Sequence, residues 1–225
     1  MGTSTTIRSD DGFELGAYRA DPAGGARAGV VVIQEIFGVN DHIRAVADRY
    51  AAHGYRAIAP ALFDRVERGV ELGYDDEGIA KGIELARGKI DTDLAVADLR
   101  AAAGAVAGGG PVGVVGYCWG GLLTAVCAIR AGDAFAAASS YYGGGTPSLA
   151  DERPVVPLIM HFGAQDHAIP LDDVRRLQQA WPQVEIHVYE GAGHGFNCDQ
   201  RDSHHAASAE LAERRTLEHF ARHLG

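Results

Sequence analysis

The chain has 225 residues, 47% of them hydrophobic, and a formal net charge of −10 at pH 7. The hydrophobic fraction is enough for one sizeable core, while the acidic balance, without any Lys/Arg cluster, argues against a nucleic-acid partner. Three cysteines (Cys118, Cys127, Cys198) are too few for a disulfide framework, the apolar runs are too short to cross a bilayer, and the start lacks the apolar stretch of a secretory signal, so a reducing cytoplasm is the expected setting.

In chain order, residues 4–20 read as a hairpin turning at Asp11-Gly12. "AGVVVIQEIFG" (Ala28 to Gly38) is almost continuously apolar up to Gln34, the pattern of a strand buried on both faces. A helix follows, with Ile43, Val46, Ala47, Tyr50 and Ala51 at helical spacing, Asn40 or Asp41 as its cap and Gly54 at its end. "YRAIAP" is a short strand stopped by Pro60. Residues 61–90 mix charges, glycines and weak helical spacing and read as a cap or excursion. Beyond them come a helix from about Asp91, the strand "PVGVVGY", the helix "WGGLLTAVCAIRAG", and the strands "FAAASSYYGG" and "VPLIMHFGAQD". The helix "PLDDVRRLQQAW", the strand "VEIHVYEG" and a closing amphipathic helix complete the chain. Strands alternating with helices predict α/β architecture: a mostly parallel central sheet flanked by helices on both faces, in a single domain spanning residues 1–225.

Open α/β sheets bind ligands beyond the carboxyl ends of their strands. Four such ends carry reactive residues: Glu35, Cys118, Asp166 and His194. Gly116-x-Cys118-x-Gly120 between a strand and a helix has the form of a nucleophile elbow with cysteine in place of serine. A sharp turn needs small neighbours two residues to either side. The helix N-terminus favours a thiolate, and the Trp119 N–H points to where an oxyanion would form. Acid and histidine then follow in the order nucleophile, Asp166, His194. An isolated cysteine is more often a small buried hydrophobe; the ordered partners are what raise Cys118 above that. Cys127 lies among Ala, Val and Ile and reads as core, Cys198 as a loop thiol, and His161 and His187 as structural. Asp172 and Asp173 compete with Asp166 for the acid role, although the first turn of a helix explains them equally well. The spacing of His194, His204 and His205 is not diagnostic of a metal site.

Taken together, "QEIFGVN" (Gln34 to Asn40), "GYCWGG" (Gly116 to Gly121), "GAQDHAIP" (Gly163 to Pro170) and "GAGHGF" (Gly191 to Phe196) resemble the dienelactone hydrolases, the carboxymethylenebutenolidase group of α/β-hydrolases, over about Ile7 to Leu224. The resemblance implies the α/β-hydrolase fold and a Cys118–Asp166–His194 triad. It implies that Glu35 contacts the resting thiol and shifts to help generate the thiolate, and that the Ile36 and Trp119 N–H groups form the oxyanion hole. Two arginines hold a substrate carboxylate in the best-known members. Here Cys198 stands in one of those places and Ala80, beside Lys81, in the other. Lys81, Arg87 and Arg201 are candidate substitutes, and Phe37 and Tyr142 are candidate substrate contacts. The expectation is a hydrolase of a small lactone or carboxylic ester, acting as a monomer or small homo-oligomer and needing no metal or organic cofactor. A thiol-based redox or acyl-transfer protein on the same fold is the alternative, though no resolving cysteine sits in a C-x-x-C arrangement.

Overall fold

Residues 1–225 are described by a computed structural model. Along the chain come strands β1 (Thr3–Arg8), β2 (Glu14–Ala20) and β3 (Gly29–Ile33), helix α1 (Asp41–Ala52), strand β4 (Arg56–Pro60), and helices α2 (Asp76–Gly88) and α3 (Thr92–Ala107). They are followed by strand β5 (Val112–Tyr117), helix α4 (Trp119–Arg130), strands β6 (Ala137–Tyr141) and β7 (Leu158–Gly163), helix α5 (Leu171–Ala180), strand β8 (Glu185–Tyr189) and helix α6 (Ala206–Leu224). The strands form one sheet in the order β1-β2-β4-β3-β5-β6-β7-β8. Only the β1–β2 and β2–β4 pairings are antiparallel. This is the mostly parallel α/β sheet that the alternating pattern predicts. Every residue of β3, β5, β6 and β7 is buried; β3 and β5 accordingly read as apolar runs, while β6 and β7 also bury Ser139, Ser140 and His161. Helices α1 and α6 cover one face, with the Tyr50 and Phe220 rings 6.1 Å apart, and α3 and α4 cover the other. No helix is long and apolar enough to cross a membrane.

The local start signals work as their chemistry dictates. The side chain of Asn40 accepts the Ile43 N–H at the start of α1, and Asp91 accepts the N–H groups of Asp93 and Leu94 at the start of α3. Register then aligns the strand ends. Ile33 pairs with Gly116, Tyr117 with Tyr141, Tyr141 with His161, and Gly163 with Tyr189. Glu35, Cys118, Tyr142, Asp166 and His194 all follow those ends, so parallel pairing delivers them to one edge of the sheet.

The segment 61–90 holds more structure than its sequence pattern predicts. It contains a 3-10 turn over Leu62–Arg65 and then α2. The buried face of α2 is made by Gly78, Gly82, Leu85 and Ala86, so glycine supplies half of it and the apolar stripe is faint. A Cβ at Gly82 would collide with the carbonyl oxygen of Ile36. The 3-10 turn is tied down by Arg65, whose Nε and Nη2 each lie 2.7 Å from the two oxygens of the fully buried Asp98 on α3. Removing one partner of a buried bidentate pair strands the other charge, so Asp98→Ala is expected to lower stability by about 3 kcal/mol. A urea midpoint unchanged from the native chain would overturn that account.

Candidate active site

Cys118 occupies the turn between β5 and α4 with φ 55° and ψ −116°. It and Tyr142 (φ 37°) are the only non-glycine residues with positive φ. The Cys118 N–H donates to the Tyr141 carbonyl (3.0 Å) and its carbonyl accepts the Leu122 N–H (3.2 Å). The flanking glycines are required by space. A Cβ at Gly116 would collide with the Gly120 carbonyl, one at Gly120 would lie 2.5 Å from the Gln34 carbonyl oxygen, and one at Gly121 would lie 2.5 Å from that of Tyr141. The turn therefore lifts the Cys118 side chain out of the sheet while α4 packs tightly behind it.

His194, on the loop between β8 and α6, bridges the nucleophile and the acid. Its Nε2 is 3.2 Å from Cys118 Sγ, and its Nδ1 donates to Asp166 Oδ2 at 2.8 Å. The other Asp166 oxygen accepts the Ala168 N–H at 2.8 Å, and the carboxylate is wholly buried. Burial opposes the charged imidazole, but the hydrogen bonds to Asp166 and to Cys118 outweigh it and push the His194 pKa up to about 10. The competing acids are elsewhere: Asp172 pairs with Arg175 (3.0 Å) on exposed helix surface, and Asp173 shares that first turn of α5.

Two backbone N–H groups stand free of protein acceptors beside this line. Trp119 is the first residue of α4 and has no intrahelical acceptor, and the Ile36 N–H donates to no other backbone group. The Trp119 side chain stacks on Phe63 of the 3-10 turn (5.3 Å, 26°), so it serves the packing of the excursion. The Ile36 loop is held by its neighbours. Leu72 N–H donates to the Phe37 carbonyl (2.9 Å), Gln34 Oε1 accepts the Leu62 N–H (3.2 Å), and α2 presses against Ile36 at Gly82.

Glu35 departs from expectation. Its carboxylate is buried, yet neither oxygen has a hydrogen-bond partner, and the nearest cation is Arg201 Nη1 at 3.9 Å. The thiol bonds to His194, so the contact between Glu35 and the resting thiol is not made in this geometry. The reason is a choice of partner: Sγ sits on the His194 side of the turn, within reach of Nε2.

The substrate-binding candidates divide. Phe37 is buried edge-on against Tyr74 (4.7 Å) and lies under the Arg201 guanidinium (5.5 Å). Tyr142 is fully buried, with its ring 5.2 Å from that of His194. Lys81 is engaged by Glu67 at 2.8 Å, and Arg87 is exposed near Gly144. Arg201, close to Gly195 in the His194 loop, is the cation brought nearest. Cys198 lies in a loop but is fully buried, because its thiol donates to Tyr74 Oη (3.3 Å). Burial, with the charge of Glu35, pushes its pKa up to about 11. Tyr74, which also accepts a hydrogen bond from Asn40 (3.0 Å), had no sequence signal beyond being an aromatic residue among charges and glycines. A surface concavity of about 530 Å³ lies at the opposite end of the strands near Pro111 and Phe135 and holds no nucleophile with a base.

A sequence profile of the dienelactone hydrolase family matches residues 15–224. A Synechocystis sp. protein provisionally named carboxymethylenebutenolidase is 36% identical, over 99% of this chain and 97% of its own length. The carboxymethylenebutenolidase of Pseudomonas putida is 32% identical, over 96% of this chain and 94% of its own. A solved structure from Klebsiella pneumoniae, provisionally named a dienelactone hydrolase, superposes with a TM-score of 0.87 at 32% identity and covers 99% of both chains.

The His194 ring is expected to stay doubly protonated through the neutral range and to titrate near 10, with a lower value in Cys118→Ala. Ring NMR resonances against pH check this; a wild-type ring titrating at its ordinary 6.5 contradicts it. Since the folded value lies above the unfolded one, the linked stability is complete below pH 6.5 and is lost as pH rises through about 10. The stability difference between the native chain and His194→Gln should shrink over that interval.

Proposed function

Because the chain belongs to the dienelactone hydrolase family, we propose that it hydrolyses a lactone or carboxylic ester through an acyl-enzyme on Cys118. The observation that carries this reading is the single histidine with one nitrogen 3.2 Å from Sγ and the other 2.8 Å from a buried carboxylate. His194 Nε2 takes the thiol proton and is then held as an imidazolium between the buried Asp166 carboxylate and the Cys118 thiolate, the two partners that raise its pKa. Sγ attacks the carbonyl carbon, and the oxygen takes up charge against the Ile36 and Trp119 N–H groups. Collapse breaks the acyl–oxygen bond as His194 Nε2 gives its proton to the leaving enol or alcohol. Neutral His194 next takes a proton from water, the hydroxide attacks the thioester, and the thiolate departs.

Arg201 supports a substrate that carries a carboxylate. It replaces, from a different position, the arginine whose place Cys198 fills. The thiol-redox alternative loses support because its second cysteine is buried and bonded to Tyr74.

Cys118→Ala is expected to lower ester hydrolysis by at least roughly a thousandfold while Cys127→Ala leaves it within about twofold. Equal rates for the native chain and Cys118→Ala on aryl esters and dienelactones would end the proposal. Iodoacetamide at neutral pH should label Cys118 and spare Cys198; the opposite pattern would favour the redox alternative. Arg201→Met should raise KM roughly tenfold for a lactone bearing a carboxylate and leave KM for a neutral ester little changed.

A further inference from the structure

The first residues after β3 are fastened by a side chain. Gln34 is fully buried, and its amide bridges two backbone groups. Oε1 accepts the Leu62 N–H at 3.2 Å, and Nε2 donates to the Glu35 carbonyl at 3.3 Å. One partner only donates and the other only accepts, so a single orientation of the amide makes both bonds. A trans peptide is planar, with its carbonyl and its N–H on opposite sides. The Glu35 carbonyl and the Ile36 N–H belong to one such plane. Holding the carbonyl toward Gln34 therefore holds the Ile36 N–H the other way.

The far end of that bridge is the 3-10 turn Leu62–Arg65, and the same turn reaches the other donor residue. Phe63 stacks on Trp119, the first residue of α4 (5.3 Å, 26°). One short turn thus braces both residues assigned to the oxyanion hole, through an amide on one side and a ring on the other. The turn is itself anchored: Asp64 accepts the Gly16 N–H (2.7 Å) and the Gly69 N–H (3.0 Å), and Arg65 pairs with buried Asp98. The Gln34 carbonyl, in turn, packs against the start of α4, where a Cβ at Gly120 would lie 2.5 Å from its oxygen. Gly120 follows Cys118 by two positions, so this contact sets the Gln34 loop directly beside the nucleophile turn.

We propose that Gln34 is a positioning residue: its amide, braced by the 3-10 turn, fixes the Glu35–Ile36 peptide with its N–H toward the oxygen that gains charge. The inference rests on the hydrolase reading above and on the oxyanion role given there to the Ile36 N–H. When Sγ forms its bond to the substrate's carbonyl carbon, the π pair of the C=O moves onto oxygen. An N–H already fixed in place stabilises that charge without rearrangement. Were the peptide to turn over, the Glu35 carbonyl would face the oxygen and repel it. Gln34 touches no reacting atom. The interaction it secures strengthens as the tetrahedral intermediate forms, so its loss falls on kcat and not on KM.

The test compares ester turnover, inhibition by an aryl trifluoromethyl ketone and iodoacetamide alkylation of Cys118 in the purified full chain. The ketone takes Sγ at its carbonyl carbon and leaves an oxyanion in place; iodoacetamide loses iodide from a saturated carbon and forms none. Gln34→Met, similar in length and without hydrogen bonds, should lower kcat roughly thirtyfold, keep KM within about twofold and weaken ketone inhibition roughly thirtyfold. Alkylation should stay within about twofold of the native rate. Equal losses in alkylation and ketone inhibition would mean that the nucleophile turn itself had shifted, a packing role only, and overturn the inference. Gln34→Glu gives a second reading and replaces the first if Gln34→Met does not fold. Its side chain fills both amide roles only as the protonated acid, so its kcat defect relative to the native chain should shrink as pH falls. A defect independent of pH overturns the inference. If Cys118→Ala abolishes turnover while Gln34→Met keeps native kcat and ketone affinity, the positioning role is wrong and the hydrolase reading stands. If Cys118→Ala is as active as the native chain, the hydrolase reading fails, and the inference with it.

Discussion

The site depends on one backbone conformation. Cys118 is held at a positive φ that side-chain-bearing residues avoid, at a cost of order 1–3 kcal/mol. It stays there because its N–H and carbonyl are both bonded and because glycine at 116, 120 and 121 removes every Cβ that would force the strand and helix apart. Tyr142 shares the same strain at the end of the neighbouring strand, and its ring backs His194. The sheet gathers this strain at its carboxyl edge, where register also delivers the acid and the histidine. If the turn relaxed, Sγ would leave the reach of His194 and the remaining groups would have nothing to act on.

The two acidic side chains of the site are placed in opposite electrostatic situations. Asp166 has its oxygens committed to Ala168 and His194, so it is fixed in position. Glu35 has no hydrogen-bond partner, and its nearest cation is the Arg201 guanidinium at 3.9 Å. One carboxylate orients; the other is free to change partners.

Much of this arrangement was legible in the residues, because it rests on local chemistry. Buried parallel strands wrote themselves as apolar runs, Asn40 and Asp91 as caps, and the order Cys118, Asp166, His194 as strand-end residues. What escaped was information carried by shape. Helix α2 buries glycines, which no hydrophobic pattern registers. Cys198 read as a loop thiol because nothing nearby in sequence announces that Tyr74, 124 positions away, covers it. The Trp119 side chain found its partner in Phe63, a contact set by how the excursion folds back. Arg201 was one of three candidate cations, and only the folded arrangement separates it, 3.9 Å from Glu35, from Lys81, which pairs with Glu67.

The parallel register has a consequence for the order in which the protein is made. Cys118 and His194 are 76 positions apart, and the histidine follows the last strand to join the sheet, at its far edge. A ribosome therefore releases the nucleophile, its glycine turn and Glu35 well before the base exists. During that interval the thiol has a carboxylate in its neighbourhood and no imidazole beside it. Vectorial synthesis thus yields a nascent chain that can fold most of its sheet while the cysteine remains chemically quiet, and the arrival of β8 with its loop is the event that arms it.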